Sequence, residues 1–149
     1  MPTPTPLNGR DYPRQDDREM IVCESVTNRG CMTLDPTAAL SLYDEAWAIS
    51  DYESRLVSLR TFWADDGLYV DPDVPKGVRG PEALATEIER QLKLYPGMSI
   101  VSSAADVLGG RAWFRWSATL GTGESFNGVD FVEFAPDGRI ARLTGFYEP

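Results

Sequence analysis

The sequence predicts an α+β domain in which a meandering antiparallel sheet is covered on one side by helices. Two observations carry this. Between Asp35 and Tyr95 apolar residues recur mainly at helical spacing. From Ser99 onward the pattern becomes strand-like alternation, punctuated by Gly and Pro turns. A chain of 149 residues suits one domain with a sizeable core.

Residues 1–34 read as a largely flexible tail, because Pro2, Pro4 and Pro6 are too dense for helix or strand and charge follows. The folded part, 35–149, opens at Asp35-Pro36, an N-cap followed by proline at the first helical position. Ala39, Leu40, Tyr43, Ala46 and Trp47 then share one helix face, with Asp44 and Glu45 turned away. Ser50-Asp51 ends this helix and caps a second. Its stripe is Tyr52, Leu56, Leu59, Phe62 and Trp63, with Glu53, Arg55 and Arg60 on the wet face. Asp65-Asp66-Gly67 is a turn, and Leu68 to Val70 a short strand. A Pro- and Gly-rich loop covers 73–79. Gly80-Pro81-Glu82 starts a third helix with the stripe Leu84, Ile88, Leu92 and Tyr95, and Pro96-Gly97 stops it. Strands follow at 99–107, 111–120, 125–134 and 139–147. On the second of these, Phe114, Trp116, Ala118 and Leu120 take one face and Arg115, Ser117 and Thr119 the other.

Composition narrows the function classes. Net charge is −9, which disfavours nucleic acid, since phosphate contacts need a basic patch. No apolar run approaches membrane-spanning length and no apolar signal region opens the chain, so the expectation is a cytoplasmic protein without a membrane partner. Cys23 and Cys31 make neither a disulfide framework nor a metal set, and there is no histidine. That excludes Ser-His and Cys-His nucleophiles and His-rich zinc sites. Acid–base chemistry falls to carboxylates, tyrosine, lysine or water, with no metal and no organic cofactor expected.

Two aspartates stand out. Pro72 forces Asp71 into extended geometry at a strand end, where it either opens a turn or presents its carboxylate to a site. Asp130 lies in mid-strand, on one face with Val132 and Phe134. A charge there is costly unless paired or neutralised. Asp130 is therefore either a structural acid tied to a backbone N–H, Arg115 or Arg142, or a protonated carboxyl that donates a hydrogen bond.

Several stretches occur together: Phe62-Trp63-Ala64-Asp65-Asp66-Gly67, then Tyr69-Val70-Asp71-Pro72, then Gly77-Val78-Arg79-Gly80-Pro81-Glu82. Gly128-Val129-Asp130-Phe131-Val132-Glu133-Phe134 and Pro136-Asp137-Gly138-Arg139-Ile140 complete the set. On these the region from about Asp35 to Pro149 resembles the SnoaL-like, nuclear transport factor 2-like superfamily. That resemblance implies a cone-shaped curved antiparallel sheet with three helices on its concave side. Within it, the two aspartates are similar in placement to those of ketosteroid isomerase. There one aspartate is general base and a protonated one donates into the oxyanion hole. By that likeness Asp71 is the base, and Asp130 the oxyanion donor or an alternative base of the polyketide-cyclase kind. The family's catalytic tyrosine is unmatched: Trp47 falls near its place and Tyr43 one turn earlier. The acid–arginine–acid set of limonene epoxide hydrolase and the histidines of scytalone dehydratase are absent.

The expected function is an isomerase- or cyclase-type enzyme acting on a small hydrophobic carbonyl compound in an apolar pouch. Expected walls are Tyr43, Trp47, Trp63, Leu84, Ile88, Phe114, Trp116 and Leu143. The rival is a non-catalytic ligand-binding or dimerisation module, since one fold hosts many roles. Trp113, Val129, Phe131 and Phe146 would form an apolar patch on the opposite sheet face, suited to an isologous homodimer.

Overall fold

The computed structural model describes residues 33–149; the expectations for the tail, including Cys23 and Cys31, lie outside them. Helix α1 spans Pro36–Ala48 and is capped by Asp35, whose Oδ2 accepts from Ala38 N–H at 3.1 Å. Helix α2, Tyr52–Phe62, is capped by Asp51 through Ser54 N–H at 2.8 Å. Strand β1, Trp63–Asp71, follows without a loop and pairs with β2, Val74–Arg79. Helix α3 is Gly80–Leu94. The rest is strand: β3 Ser99–Ser102, β4 Asp106–Leu108, β5 Arg111–Thr119, β6 Ser125–Phe134 and β7 Ile140–Tyr147.

The seven strands form one curved, open sheet in the order β2-β1-β7-β6-β5-β3, with β4 also on β5. The last strand therefore lies in mid-sheet, between β1 and β6. All pairings are antiparallel except β1–β7, which is parallel with Leu68 opposite Arg142 and Val70 opposite Thr144. A meander predicts only antiparallel neighbours. The parallel pair arises because α3 separates the β1–β2 hairpin from the later strands, and the closing strand returns beside β1. Alternation sorts the faces. Ala112, Phe114, Val132, Ile140 and Leu143 join Leu59, Phe62, Trp63, Leu84 and Ile88 in one core beneath the helices. Trp113, Phe131 and Phe146 face away and are 37, 51 and 52% exposed.

Four local expectations are corrected. Asp65-Asp66-Gly67 is an irregular part of β1, closed by Trp63 Nε1–H donating to Gly67 C=O at 3.2 Å. Residues 74–79 are the edge strand β2 instead of a loop. The stretch 99–107 breaks into two strands around 103–105. Arg55 is not on a wet face: it is 1% exposed, and its Nη2 donates to Ile49 C=O at 2.6 Å. That carbonyl lies just beyond α1, where chain groups lack helical partners, so the guanidinium ties α2 to the end of α1. Arg55→Ala is expected to lower stability by about 3 kcal/mol, read from the urea midpoint, because it leaves both a hole and an unpaired carbonyl.

Candidate functional site

Asp71 ends β1, and Pro72 stops it from continuing inward. Its Oδ1 accepts from Asp73 N–H at 2.8 Å and Val74 N–H at 2.9 Å, which closes the β1–β2 hairpin. Its Oδ2 accepts from the Tyr69 hydroxyl at 2.6 Å and Gln91 Nε2 at 3.1 Å. Four donors thus occupy the roughly four lone-pair positions of one carboxylate. Gln91 is aimed by Glu87, which accepts from it at 2.9 Å and is itself gripped by Arg90 at 2.6 and 2.8 Å. At Asp71-Pro72 the acid builds the turn and also borders a hollow.

Asp130 has a different environment. It is 6% exposed, and its side-chain partner among the described residues is Trp116, whose Nε1–H donates to Oδ1 at 2.9 Å. Neither expected arginine reaches it; Arg115 pairs with Glu148 at 3.3 Å. Burial, joined by the charges of Asp71 and Asp44, pushes its carboxyl up to about 7, against the lowering effect of the Trp116 bond. Trp116 can lean onto β6 because its cross-strand neighbour is Gly128. A side chain at 128 would overlap the indole ring and the Phe146 carbonyl. Gly128→Ala is therefore expected to dislodge the indole, shift its Nε1–H resonance, and move the Asp130 titration upward in NMR.

Gly145 of β7 brings the two acids together. A Cβ there would sit 2.9 Å from Asp130 Oδ1 and 3.5 Å from Asp71 Cβ, so the missing side chain leaves them flanking one gap. Both border a narrow pocket of about 40 Å³. Tyr43, Trp47, Phe114 and Trp116 line it as expected. Trp63, Leu84, Ile88 and Leu143 do not; each is fully buried in the core behind it. Apolar periodicity marks burial and cannot separate a core position from a cavity wall.

Sequence reasoning missed other lining groups. Asp44 is half-buried rather than turned away; it accepts from Ser102 Oγ at 2.7 Å, and burial raises its carboxyl. Nothing in the α1 pattern signals this, because β3 supplies the cover. Gln91 was detectable as a polar residue on the stripe set by Leu84 and Ile88. Tyr69, Met98, Ile100, Ala118, Phe126 and Tyr147 complete the wall. Tyr43 and Tyr69 are held well above the usual phenol range, first by burial, so both stay protonated. The pocket is mainly apolar, with three acids, one of them raised to about 7 and one fully engaged, and two protonated phenols beside them.

The comparisons agree with this architecture. A family model described as a SnoaL-like domain matches residues 38–143. Among solved structures, a presumed isomerase of the SnoaL-like family from Agrobacterium tumefaciens is similar, with 28% identity and a TM-score of 0.69. The match covers 74% of this chain and 95% of that one. A presumed ketosteroid isomerase from Kribbella flavida matches at 22% identity and TM-score 0.60, over 76% of this chain and 78% of that one. A presumed SnoaL-like polyketide cyclase from Jannaschia sp. CCS1 matches at 16% identity and TM-score 0.64, over 83% and 92%. The last two show the fold alone. No curated protein matches.

Proposed function

The chain belongs to the SnoaL-like domain family, and from that premise we propose an acid–base enzyme, isomerase or cyclase in type, acting on a small carbonyl compound in this pocket. The observation that carries the reading is the unequal treatment of the two aspartates. Asp71 has its acceptor positions filled, which leaves none free to take a proton from a ligand. Asp130 titrates at about 7, where a general base is most effective. The roles implied by ketosteroid isomerase are therefore exchanged: Asp130 is the base, and Asp71 anchors the floor.

In this scheme an ionised Asp130 oxygen takes the proton α to the ligand carbonyl, and the bond's electrons move to the carbonyl oxygen. The Tyr43 hydroxyl, kept protonated by burial, donates to the enolate oxygen. Protonated Asp130 then returns its proton to a different carbon in an isomerisation. In a cyclisation the enolate carbon instead attacks a second carbonyl, whose π electrons move to its oxygen, and Asp130 gives its proton to the alkoxide so formed. Groups facing Asp130 are Asp44 and Tyr43 from α1, Tyr69 and Asp71 from β1, and Trp116 from β5. Because the base must be ionised, activity is expected to rise with pH and level off above about 7.

Proton–deuteron exchange α to the carbonyl of small ketones, followed by NMR, tests the proposal. Wild type should accelerate exchange of at least one ketone over buffer, and Asp130→Asn should not. Equal exchange by the two proteins would remove Asp130 from the chemistry. A dimerisation role is favoured by a separate feature, the exposed Trp113, Phe131 and Phe146 on the outer sheet face. Sedimentation equilibrium should give a dimer that Phe131→Glu converts to monomer.

A further inference from the structure

Among the described residues that line the pocket the charged side chains are Asp44, Asp71 and Asp130, with no lysine or arginine. Bringing a carboxylate or phosphate into this acidic, partly desolvated space is unfavourable, whereas a cation gains from it. Among the lining residues, Trp116, Phe126 and Tyr147 meet as three rings nearly at right angles. Their interplanar angles are 88, 81 and 85°, and each pair of centroids is 5.8 Å apart. Tyr95 extends the group, with its ring 6.3 Å from Phe126. The three rings pack edge to face on one another, and whatever ring area they leave toward the pocket they border is where an ammonium group would meet them.

We propose that this aromatic corner binds an alkylammonium group, so that the ligand is a small carbonyl compound carrying a tertiary or quaternary ammonium centre. The inference rests on the reading above that this pocket is where the ligand sits. Two of the three walls are themselves tied to acids. Trp116 Nε1–H donates to Asp130 at 2.9 Å, and the Tyr147 hydroxyl donates to Asp73 Oδ2 at 3.0 Å. A ring whose N–H or O–H donates to a carboxylate carries more negative charge on its face, which strengthens its pull on a cation. The unfilled oxygen of Asp130, next to Trp116 and facing the same hollow, places a counter-charge near the ammonium. Phe126 has no polar atom and offers only its ring face. A non-polar ligand would be served equally by leucine at that position.

The test compares choline with 3,3-dimethylbutan-1-ol, which has the same shape and no charge, by isothermal titration. Choline should bind at least tenfold more tightly. Phe126→Leu, which keeps bulk and removes the ring face, should weaken choline about five- to tenfold and weaken the alcohol much less. Tyr147→Leu should do the same, and serves if Phe126→Leu does not fold. Equal affinity for the two probes, or equal weakening of both by Phe126→Leu, would overturn the proposal. The proton-exchange test scores catalysis separately. Choline selectivity without exchange leaves the cation site and removes the enzyme; exchange without selectivity does the reverse.

Discussion

Asp130→Asn is expected to abolish proton exchange and, at the same time, make the protein more stable at neutral pH. Exchange should fall by roughly 10²–10⁴-fold, the usual contribution of a positioned acid–base group. Stability moves the other way for an electrostatic reason. In the folded chain Asp130 releases its proton near pH 7, against an ordinary value of 3.8. Between those values the folded state holds a proton that the unfolded state has lost, so stability falls as pH rises through the window. The full penalty applies above about pH 7 and, at 1.36 kcal/mol per tenfold change, is on the order of 4 kcal/mol. Asparagine keeps an oxygen for Trp116 and carries no charge, so it removes most of this penalty. Denaturant midpoints measured from pH 4 to 8 should decline for wild type and stay flatter for the variant. Parallel curves would mean that Asp130 is not desolvated as described.

Asp71→Ala is expected to have the opposite sign. Its carboxylate is the shared acceptor for Tyr69, Gln91 and the N–H groups of Asp73 and Val74. Truncation leaves four donors without a partner in a buried place and undoes the turn that joins β1 to β2. The expected loss is about 3–5 kcal/mol, since orphaned buried polar groups bear their full desolvation cost. Asp71→Asn should fall between, because its amide offers one oxygen to accept and sets two N–H groups against existing donors. A variant as stable as wild type would show that these bonds carry little. The pair of substitutions separates the two acids: one is kept at the expense of stability, the other underwrites it.

Much of this was readable in the sequence because it depends on local pattern. Asp35, Asp51 and the Gly80-Pro81 start mark the helices through capping chemistry, which acts within one turn. Asp71 stood out through the proline behind it, and Asp130 because it interrupts an apolar strand. What was not readable depends on contacts between distant segments. Arg55 looked solvated until α1 supplied a carbonyl for it. Asp44 looked outward until Ser102 arrived from β3. Trp63 and Leu143 looked like cavity walls because a buried apolar residue gives the same signal whether it faces a neighbour or a hollow. Gly145 carries no signal in the sequence, whereas its lack of a side chain is what gives the two aspartates their common gap.

The place of the last strand has a consequence for synthesis of the protein. Trp63 to Asp71 leaves the ribosome long before its neighbour Ile140–Tyr147 has been made, and until then its inner edge has no mate. Contacts so far apart in the chain slow folding, and an unmated strand edge invites pairing with another molecule meanwhile. Helix α3, which packs on β1 and is complete by Leu94, can bury apolar side chains of that strand before then, but the edge itself is satisfied only when β7 pairs with it.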